Sequence, residues 1–138
     1  MEQEEKRFLS TMKMMHCVID EMRFERKGFQ PPEGPKDNQI RFTRNISKDG
    51  DGIYRVGLVA EIEREDEFEI KLAITGYFEL DENDPNRQEL LERNAVAILF
   101  PFIRSEITLL TTQPEMTPIV LPLVNIASMF DKAKQEQK

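Results

Sequence analysis

Apolar and polar residues alternate along the first half of the chain, most regularly between residues 53 and 80. In the stretch IYRVGLVAEIER, every second residue from Tyr54 to Ile62 is apolar, and Arg55 and Glu61 stand between them. A period of two predicts a β-strand with one dry face and one largely wet face. The stretch FEIKLAITGYFEL repeats the pattern, and the charged turn EREDE between the two predicts an antiparallel hairpin.

Two earlier stretches predict two more strands. QIRFTRNIS places Ile40, Phe42 and Ile46 on one face, and the glycines of KDGDG join it to the hairpin through a turn. TMKMMHCVIDEMRF has apolar residues on both faces, so we expect both faces to be partly covered. Its alternation places Met14, Val18, Met22 and Phe24 on one face and Met15, Cys17 and Ile19 on the other. Between these two strands, the prolines and glycines of ERKGFQPPEGPKDN predict an exposed crossover.

The period changes near residue 84 to that of a helix. Asp84 is the predicted N-cap and Pro85 the first helical residue, and the helix can run to about Thr111. Its apolar side chains cover an arc of roughly 200°, whereas a typical surface helix has an apolar stripe only somewhat wider than about 100°. One face of a sheet cannot cover that arc, so we expect the remaining side to contact another subunit or a client. Pro101 has no amide hydrogen, which predicts a bend within this helix.

The segment after the helix, TTQPEMTPIVLPLV, is apolar and rich in proline, which predicts an extended conformation. Two interpretations are open. The segment closes the core, or an extended polypeptide lies beside it, held by apolar side chains with little sequence demand. Asn125 is then the predicted cap of a short amphipathic helix that has Ile126, Met129 and Phe130 on its apolar side.

Length and charge limit the classes of protein that the chain can belong to. Its 138 residues fit one domain, 1–138, with flexible tails expected at about 1–8 and 132–138. The formal net charge of -7 repels phosphate backbones and anionic headgroups, so we do not expect nucleic-acid binding. No apolar stretch reaches 18 residues, so we do not expect membrane insertion. The N-terminus lacks a basic region followed by an apolar run, and Cys17 has no second cysteine to pair with. We therefore expect a cytoplasmic protein.

Reactive side chains do not converge along the sequence. His16 and Cys17 point to opposite faces of one strand, which prevents them from forming a nucleophile and base pair. The DGDG stretch lacks the later glutamate of a calcium loop and predicts a turn. Asp81, Glu82 and Asp84 precede a helix, where negative charge favours the macrodipole. We expect no metal, no cofactor and no enzyme activity.

Two stretches, ILFPFIRSEIT and TPIVLPLVNIASMF, resemble the SecB family of export chaperones. The family's long helix carries the pattern L-[FY]-P-[FY]-x-R. The residues that match it are Leu99, Phe100, Pro101, Phe102 and Arg104. The family's C-terminal part carries a proline, then Val-Asn and an apolar helix that ends in phenylalanine. The residues that match it are Pro122, Val124, Asn125 and Phe130.

The resemblance implies an α+β fold, in which a four-stranded antiparallel sheet carries a long kinked helix and a short C-terminal helix on one face. It also implies an ATP-independent holdase that binds unfolded preproteins in an apolar groove. By position, the groove residues are Phe29, Phe42, Ile46, Ile119, Leu121, Leu123, Ile126 and Met129. It further implies a homotetramer, a dimer of dimers joined through the long helices. We assign to that interface Leu99, Phe102, Ile103, Glu106 and Leu110.

The chain departs from the family pattern in several places, and NIASMF lacks the acid that often follows the family's asparagine. Leu123 is an extra residue between the proline and Val-Asn. The family docks the translocase motor SecA through acids on its sheet, and here Asp20 and Glu25 match those acids only with a shift of one residue. Lys71 stands where another acid is usual. A divergent SecB-like chaperone for a particular client therefore fits as well as a general export factor. The alternative function is a non-catalytic interaction module or small-ligand carrier with one dedicated partner.

Overall fold

The computed structural model describes residues 11–29, 37–122 and 126–130. Four strands form one antiparallel sheet in the order β1-β4-β3-β2. The strands are β1 (Lys13–Arg26), β2 (Gln39–Gly50), β3 (Ile53–Arg64) and β4 (Phe68–Glu79). A short helix α1 (Arg87–Glu89), a π-helical turn (Leu90–Asn94) and a long helix α2 (Ala95–Leu110) follow, and residues 126–130 form a last helical turn. The predicted α+β fold class is confirmed.

The three strands read from clean alternation pair as predicted. β3 and β4 form the expected hairpin, with Ala60 opposite Leu72 and Asp66 at positive φ in the turn. β2 and β3 are joined through Gly52, whose φ of 70° suits glycine. A side chain at Gly52 would also approach the Leu80 carbonyl oxygen to 3.2 Å, which is a second reason for glycine in this turn.

Two β-bulges in β1 place some of its residues on the face opposite to the predicted one. The register shifts between Met14 and His16 and again between Ile19 and Glu21. Each bulge adds one residue, so the alternation between the bulges is reversed. Cys17 lies opposite Gly76 and packs against the core, whereas Val18 lies opposite Thr75 on the open face of the sheet.

The core lies between one face of the sheet and α2. Leu58, Leu72 and Phe78 of the central strands are fully buried and pack with Leu99 and Ile103 of the helix. Gly76 permits this close packing, since a Cβ there would lie 2.8 Å from Leu99 Cδ2. The helix thus covers the middle of the sheet and leaves the outer strands less covered.

The helix begins two residues later than predicted. The assigned helix starts at Arg87, but Asp84 Oδ1 still accepts a hydrogen bond from the Asn86 N–H at 2.8 Å, as an N-cap carboxylate would. The π-helical turn was not predicted. Pro101 is exposed, and α2 is assigned without interruption on both sides of it.

Several predictions fall outside the described ranges. These are the tails at 1–8 and 132–138, the helix cap Asn125 and the groove residue Leu123. The single-domain assignment over 1–138 stays a prediction. Within the described part of the chain, no helix is long and apolar enough to cross a membrane.

Candidate functional site

One side of the candidate groove is the core-facing side of β2. Phe42 and Ile46 are half-buried there and pack against the core. The Phe42 ring meets Phe100 of α2 edge to face, with 5.9 Å between ring centroids. The alternation along β2 thus places both predicted groove residues of this strand, Phe42 and Ile46, on one surface.

Arg44 lies between these two residues on the same face and was not predicted as part of the site. Its Nη1 donates a hydrogen bond to the Glu92 carbonyl oxygen of the π-helical turn at 2.8 Å. Its guanidinium carbon lies 4.6 Å from the centroid of the Phe130 ring in the last helical turn. The sequence signal is the single cation at alternate spacing in Phe42-x-Arg44-x-Ile46. Arg44 connects the strand, the π-helical turn and the last helical turn.

The extended segment 117–122, which we call the strap, lies along α2. The Arg104 Nε donates to the Leu121 carbonyl oxygen at 2.6 Å, and the Thr108 hydroxyl donates to the Ile119 carbonyl oxygen at 2.9 Å. The Ile119 N–H donates to Thr111 Oγ1 at 2.8 Å. Arg104, Thr108 and the helix-terminal Thr111 therefore form hydrogen bonds with backbone groups of the strap. The strap has no strand partner within the described residues.

The strap buries alternate side chains. Ile119 and Leu121 are 8% and 2% exposed, whereas Val120 between them is 61% exposed. The interpretation that this segment closes the core is therefore correct for Ile119 and Leu121. Val120 points outward and is not covered by the described residues.

The predicted groove residues thus occupy three environments. Ile119, Leu121 and Ile126 are buried inside the subunit, and Phe42 and Ile46 are half-buried. Phe29 is 57% and Met129 43% exposed. Phe29 lines a separate cavity of about 100 Å³ with Phe68, Met116 and two arginines, so the structure does not place it beside Phe42.

The predicted oligomer-interface residues divide between two sides of α2. Leu99 and Ile103 are fully buried against the sheet of their own subunit. Their assignment to the oligomer interface is therefore corrected. Phe102 is 43% exposed, and Glu106 and Leu110 are half-buried. The apolar side chains exposed on the helix are Ile98, Phe102 and Leu109. Glu106 lies on that side and makes no ion pair with the described residues of the subunit.

The acids assigned to SecA docking lie on β1. Asp20, at the second bulge, accepts a hydrogen bond from the Thr75 hydroxyl of β4. Glu25 lies opposite Glu69, and the Lys27 ammonium is 3.4 Å from Glu25 and 3.6 Å from Glu69. The hydrogen bond that Lys27 donates to Glu25, followed by the charges of both acids, raises the pKa of Lys27. Lysine therefore neutralises part of this acidic surface.

The open face of the sheet carries both signs of charge at this end. A shallow cavity of about 510 Å³ is lined by cations and carboxylates together. Arg41 and Glu61 form an ion pair there at 3.0 Å, and Lys71 pairs with Glu21 at 3.0 Å. The expected acidic docking surface is thus a surface of mixed charge.

Four apolar side chains of β1 form an exposed set that was not singled out from the sequence. Its members are between 39% and 46% exposed: Met15, Val18, Ile19 and Met22. The sequence signal was the presence of apolar residues on both faces of that strand. Ile19 and Met22 lie opposite Ile74 and Leu72 on the core-facing side of this edge strand, whereas Val18 lies on the open face.

The described side chains offer no cluster of three or more potential metal ligands. His16 stacks on Tyr77 with 4.6 Å between ring centroids. Cys17 faces the core on the other side of the strand. The two residues lie on opposite faces of the sheet, so they do not form a nucleophile and base pair.

Comparison with known proteins identifies a family and two relatives that this chain resembles. The family profile described as SecB, preprotein translocase subunit SecB, matches residues 11–137. A protein-export protein SecB of Anaplasma phagocytophilum is 24% identical over 111 residues, which cover 78% of this chain and 65% of that protein. An uncharacterized protein of Methanocaldococcus jannaschii is 32% identical over 71 residues, which cover 49% of this chain and 46% of that protein. The chain thus matches between about half and two-thirds of the length of these curated relatives.

One solved structure has the same fold. It is a Mycobacterium tuberculosis SecB-like chaperone in complex with a ChAD peptide from the HigA1 antitoxin. The TM-score is 0.70 at 12% identity, and the match covers 89% of this chain and 98% of that one. The shared fold includes the sheet and the long helix on which the candidate groove is built.

Proposed function

The chain belongs to the SecB family, and from this membership we propose that it is an ATP-independent holdase chaperone. It would bind unfolded polypeptides, including preproteins, at an apolar groove and carry out no covalent chemistry. The observation that carries the proposal is the family match over residues 11–137, which includes both sides of the groove. The name of the Anaplasma phagocytophilum relative supports a role in export.

The groove surface supports binding that demands little of the client sequence. Phe42 and Ile46 form the β2 side, and Val120 and Met129 are exposed near the strap and the last helical turn. Apolar contacts depend on buried area rather than on a particular partner, at about 25 cal/mol per Å² before the cost of ordering the client. The buried residues Ile119, Leu121 and Ile126 would support this surface from below.

Assembly into a homotetramer, a dimer of dimers, is part of the proposal. Ile98, Phe102 and Leu109 expose apolar area on the side of α2 that faces away from its own sheet. A second copy of the chain would cover this area, and an arginine of that copy would pair with Glu106. Leu110 would lie at the edge of the contact.

The proposed partner is unfolded polypeptide, and the proposed location is the cytoplasm. The Mycobacterium tuberculosis structure contains a peptide from an antitoxin, which supports a dedicated client for this chain as well as general clients. Asp20 and Glu25 are the acids assigned to SecA, but Lys27 pairs with Glu25 itself and Lys71 pairs with the neighbouring Glu21. We therefore propose the chaperone role without SecA docking at this surface.

Suppression of client aggregation tests the proposed groove. The groove variant is Val120→Ser with Met129→Ser, and the matched control is Val18→Ser with Met15→Ser on β1. All four side chains are exposed, so neither pair opens a cavity in the core. We expect the wild type and the control to suppress aggregation of two unrelated unfolded proteins and the groove variant to lose most of that effect.

Two results would decide against the proposal. Failure of the wild type to delay aggregation of any unfolded protein would remove the chaperone role. Suppression that is equal in the groove variant and the wild type would remove the groove. Binding of one protein with no response to unrelated unfolded chains would favour the alternative of an interaction module with one dedicated partner.

A further inference from the structure

The cations of β2 differ from those of the other strands. β2 carries Arg41, Arg44 and Lys48 against the single acid Asp49, whereas β1 and β3 have as many acids as basic residues other than histidine, and β4 has more acids. A net positive strand is notable in a chain whose formal net charge is -7. It lies at one edge of the sheet and forms one side of the candidate groove.

Two of these three cations already have carboxylate partners. Arg41 pairs with Glu61 at 3.0 Å, and Lys48 pairs with Glu82. Arg44 contacts a backbone carbonyl and an aromatic ring instead, and within residues 11–29, 37–122 and 126–130 no carboxylate forms an ion pair with it. Its half-buried positive charge is therefore not neutralised by the described residues.

The guanidinium of Arg44 also has N–H groups that no described residue accepts. It carries five N–H groups in a planar fork, and the Glu92 carbonyl accepts from only Nη1. The Phe130 ring covers the flat face and does not use the N–H groups at the edge. A carboxylate that approached the edge could therefore accept two hydrogen bonds in the geometry that arginine favours.

We propose that Arg44 determines the specificity of the groove by binding an acidic side chain of the client, an inference that rests on the proposed chaperone function. Phe42 and Ile46 lie two residues before and after Arg44 on the same face. An extended client presents every second side chain to one surface. The favoured segment therefore has an acidic residue with an apolar residue two positions away on each side, and a basic residue in the middle position is disfavoured.

Three labelled peptides test the proposal. They share the same apolar residues in an alternating extended sequence and carry Glu, Gln or Lys at the middle position. We expect the full-length wild-type protein to bind the Glu peptide about tenfold more tightly than the Gln peptide, because a charge-assisted bidentate contact is lost, and the Lys peptide more weakly still. Fluorescence anisotropy at low and high salt measures the affinities, and the preference should shrink at high salt.

Variants of β2 separate charge from structure. Arg44→Gln keeps a donor for the Glu92 carbonyl and should bring the ratio of the Glu and Gln affinities close to one. Arg44→Lys should retain part of the preference, because it keeps the charge. The matched control, Arg41→Gln, removes a cation of the same strand that is paired on the open face, and the ratio should stay at the wild-type value.

Each outcome decides the matter. Equal binding of the Glu and Gln peptides by the wild type, or a preference that survives in Arg44→Gln, overturns the role of Arg44 while the groove itself remains. If none of the peptides binds and unfolded proteins also fail to bind, both the proposed function and this inference are wrong. If Arg44→Gln unfolds, the salt dependence of the wild type and the result with Arg44→Lys still decide.

Discussion

Both sides of α2 carry large apolar residues, but only one of them is covered by its own subunit. On the inner side, Leu99, Ile103 and Ile107 are fully buried against the sheet. On the outer side, Phe102 is 43% and Leu109 64% exposed. A helix that needed only its own sheet would carry polar residues on the outer side. The difference indicates that the inner side folds the subunit and that the outer side is available for association.

The largest expected effect is on the free energy of unfolding, and it is tested by truncating one isoleucine on each side of the helix. Ile103→Ala on the inner side should lower the free energy of unfolding by about 2–5 kcal/mol, because it leaves a cavity in a fully buried site. Ile98→Ala on the outer side, where the side chain is 39% exposed, should lower that of the isolated subunit by less than about 1 kcal/mol. Urea unfolding at low protein concentration measures both. Equal losses would mean that the two sides do not differ.

We expect a substitution on the outer side to weaken self-association rather than the folding of the subunit. Phe102→Ala should weaken self-association by about 2 kcal/mol or more, since aromatic side chains often dominate an interface. Light scattering over a range of concentrations should show a lower mass for Phe102→Ala than for the wild type, with an unchanged circular dichroism spectrum. A wild type that is a monomer at every concentration would contradict the proposed tetramer.

The hydrogen bonds between the strap and the helix end allow a smaller and more local test of the contacts inside the subunit. Thr111 is the buried polar residue of the described chain, and its hydroxyl oxygen accepts the Ile119 N–H. Thr111→Val keeps the shape of the side chain but leaves the Ile119 N–H without its acceptor. The free energy of unfolding should therefore fall by about 1–3 kcal/mol. Thr112→Val is the control, because Thr112 is exposed and its hydroxyl bonds only to the Thr108 carbonyl oxygen.

Hydrogen exchange at the Ile119 amide locates the effect of Thr111→Val. Faster exchange at this amide, with little change at the centre of β3 or β4, would show that the strap opens on its own. Unchanged exchange would show that the Thr111 contact does not hold the strap. The buried positions of Ile119 and Leu121 would then depend on apolar packing alone.

The sequence predicted much of this arrangement but not which helix residues face outward. A wide apolar arc predicts that one sheet cannot cover the helix, yet it does not say which half meets the sheet. Leu99 and Ile103 were therefore assigned to an interface although they are buried inside the subunit. Glu106 was the available signal, because an unpaired carboxylate is costly in a core and marks the outer side.

Features that depend on contacts distant in sequence were also missed. The clean alternation in β2, β3 and β4 predicted three strands and their turns correctly. The bulges of β1 have no local signal, because they depend on the pairing with β4. Arg44 interrupts an apolar alternation, but only the folded chain shows that the Glu92 carbonyl and the Phe130 ring meet it.

Acid should weaken the contact between the β2–β3 turn and the segment that leads into the helix, and this is the smallest expected effect. Glu82 accepts hydrogen bonds from the Lys48 ammonium and, at 2.9 Å, from the Gly52 N–H, which ties the β2–β3 turn to the segment that leads into the helix. The bond from Lys48, then that from Gly52, lowers the pKa of Glu82 below the ordinary 4.5. Because the folded-state pKa is the lower one, this stabilisation is complete above about pH 4.5 and is lost as the pH falls through the folded value. The midpoint of urea unfolding should therefore decrease between pH 7 and pH 3 by less in Glu82→Gln, and by less in Lys48→Gln, than in the wild type. An identical decrease in all three proteins would show that this contact does not stabilise the folded chain.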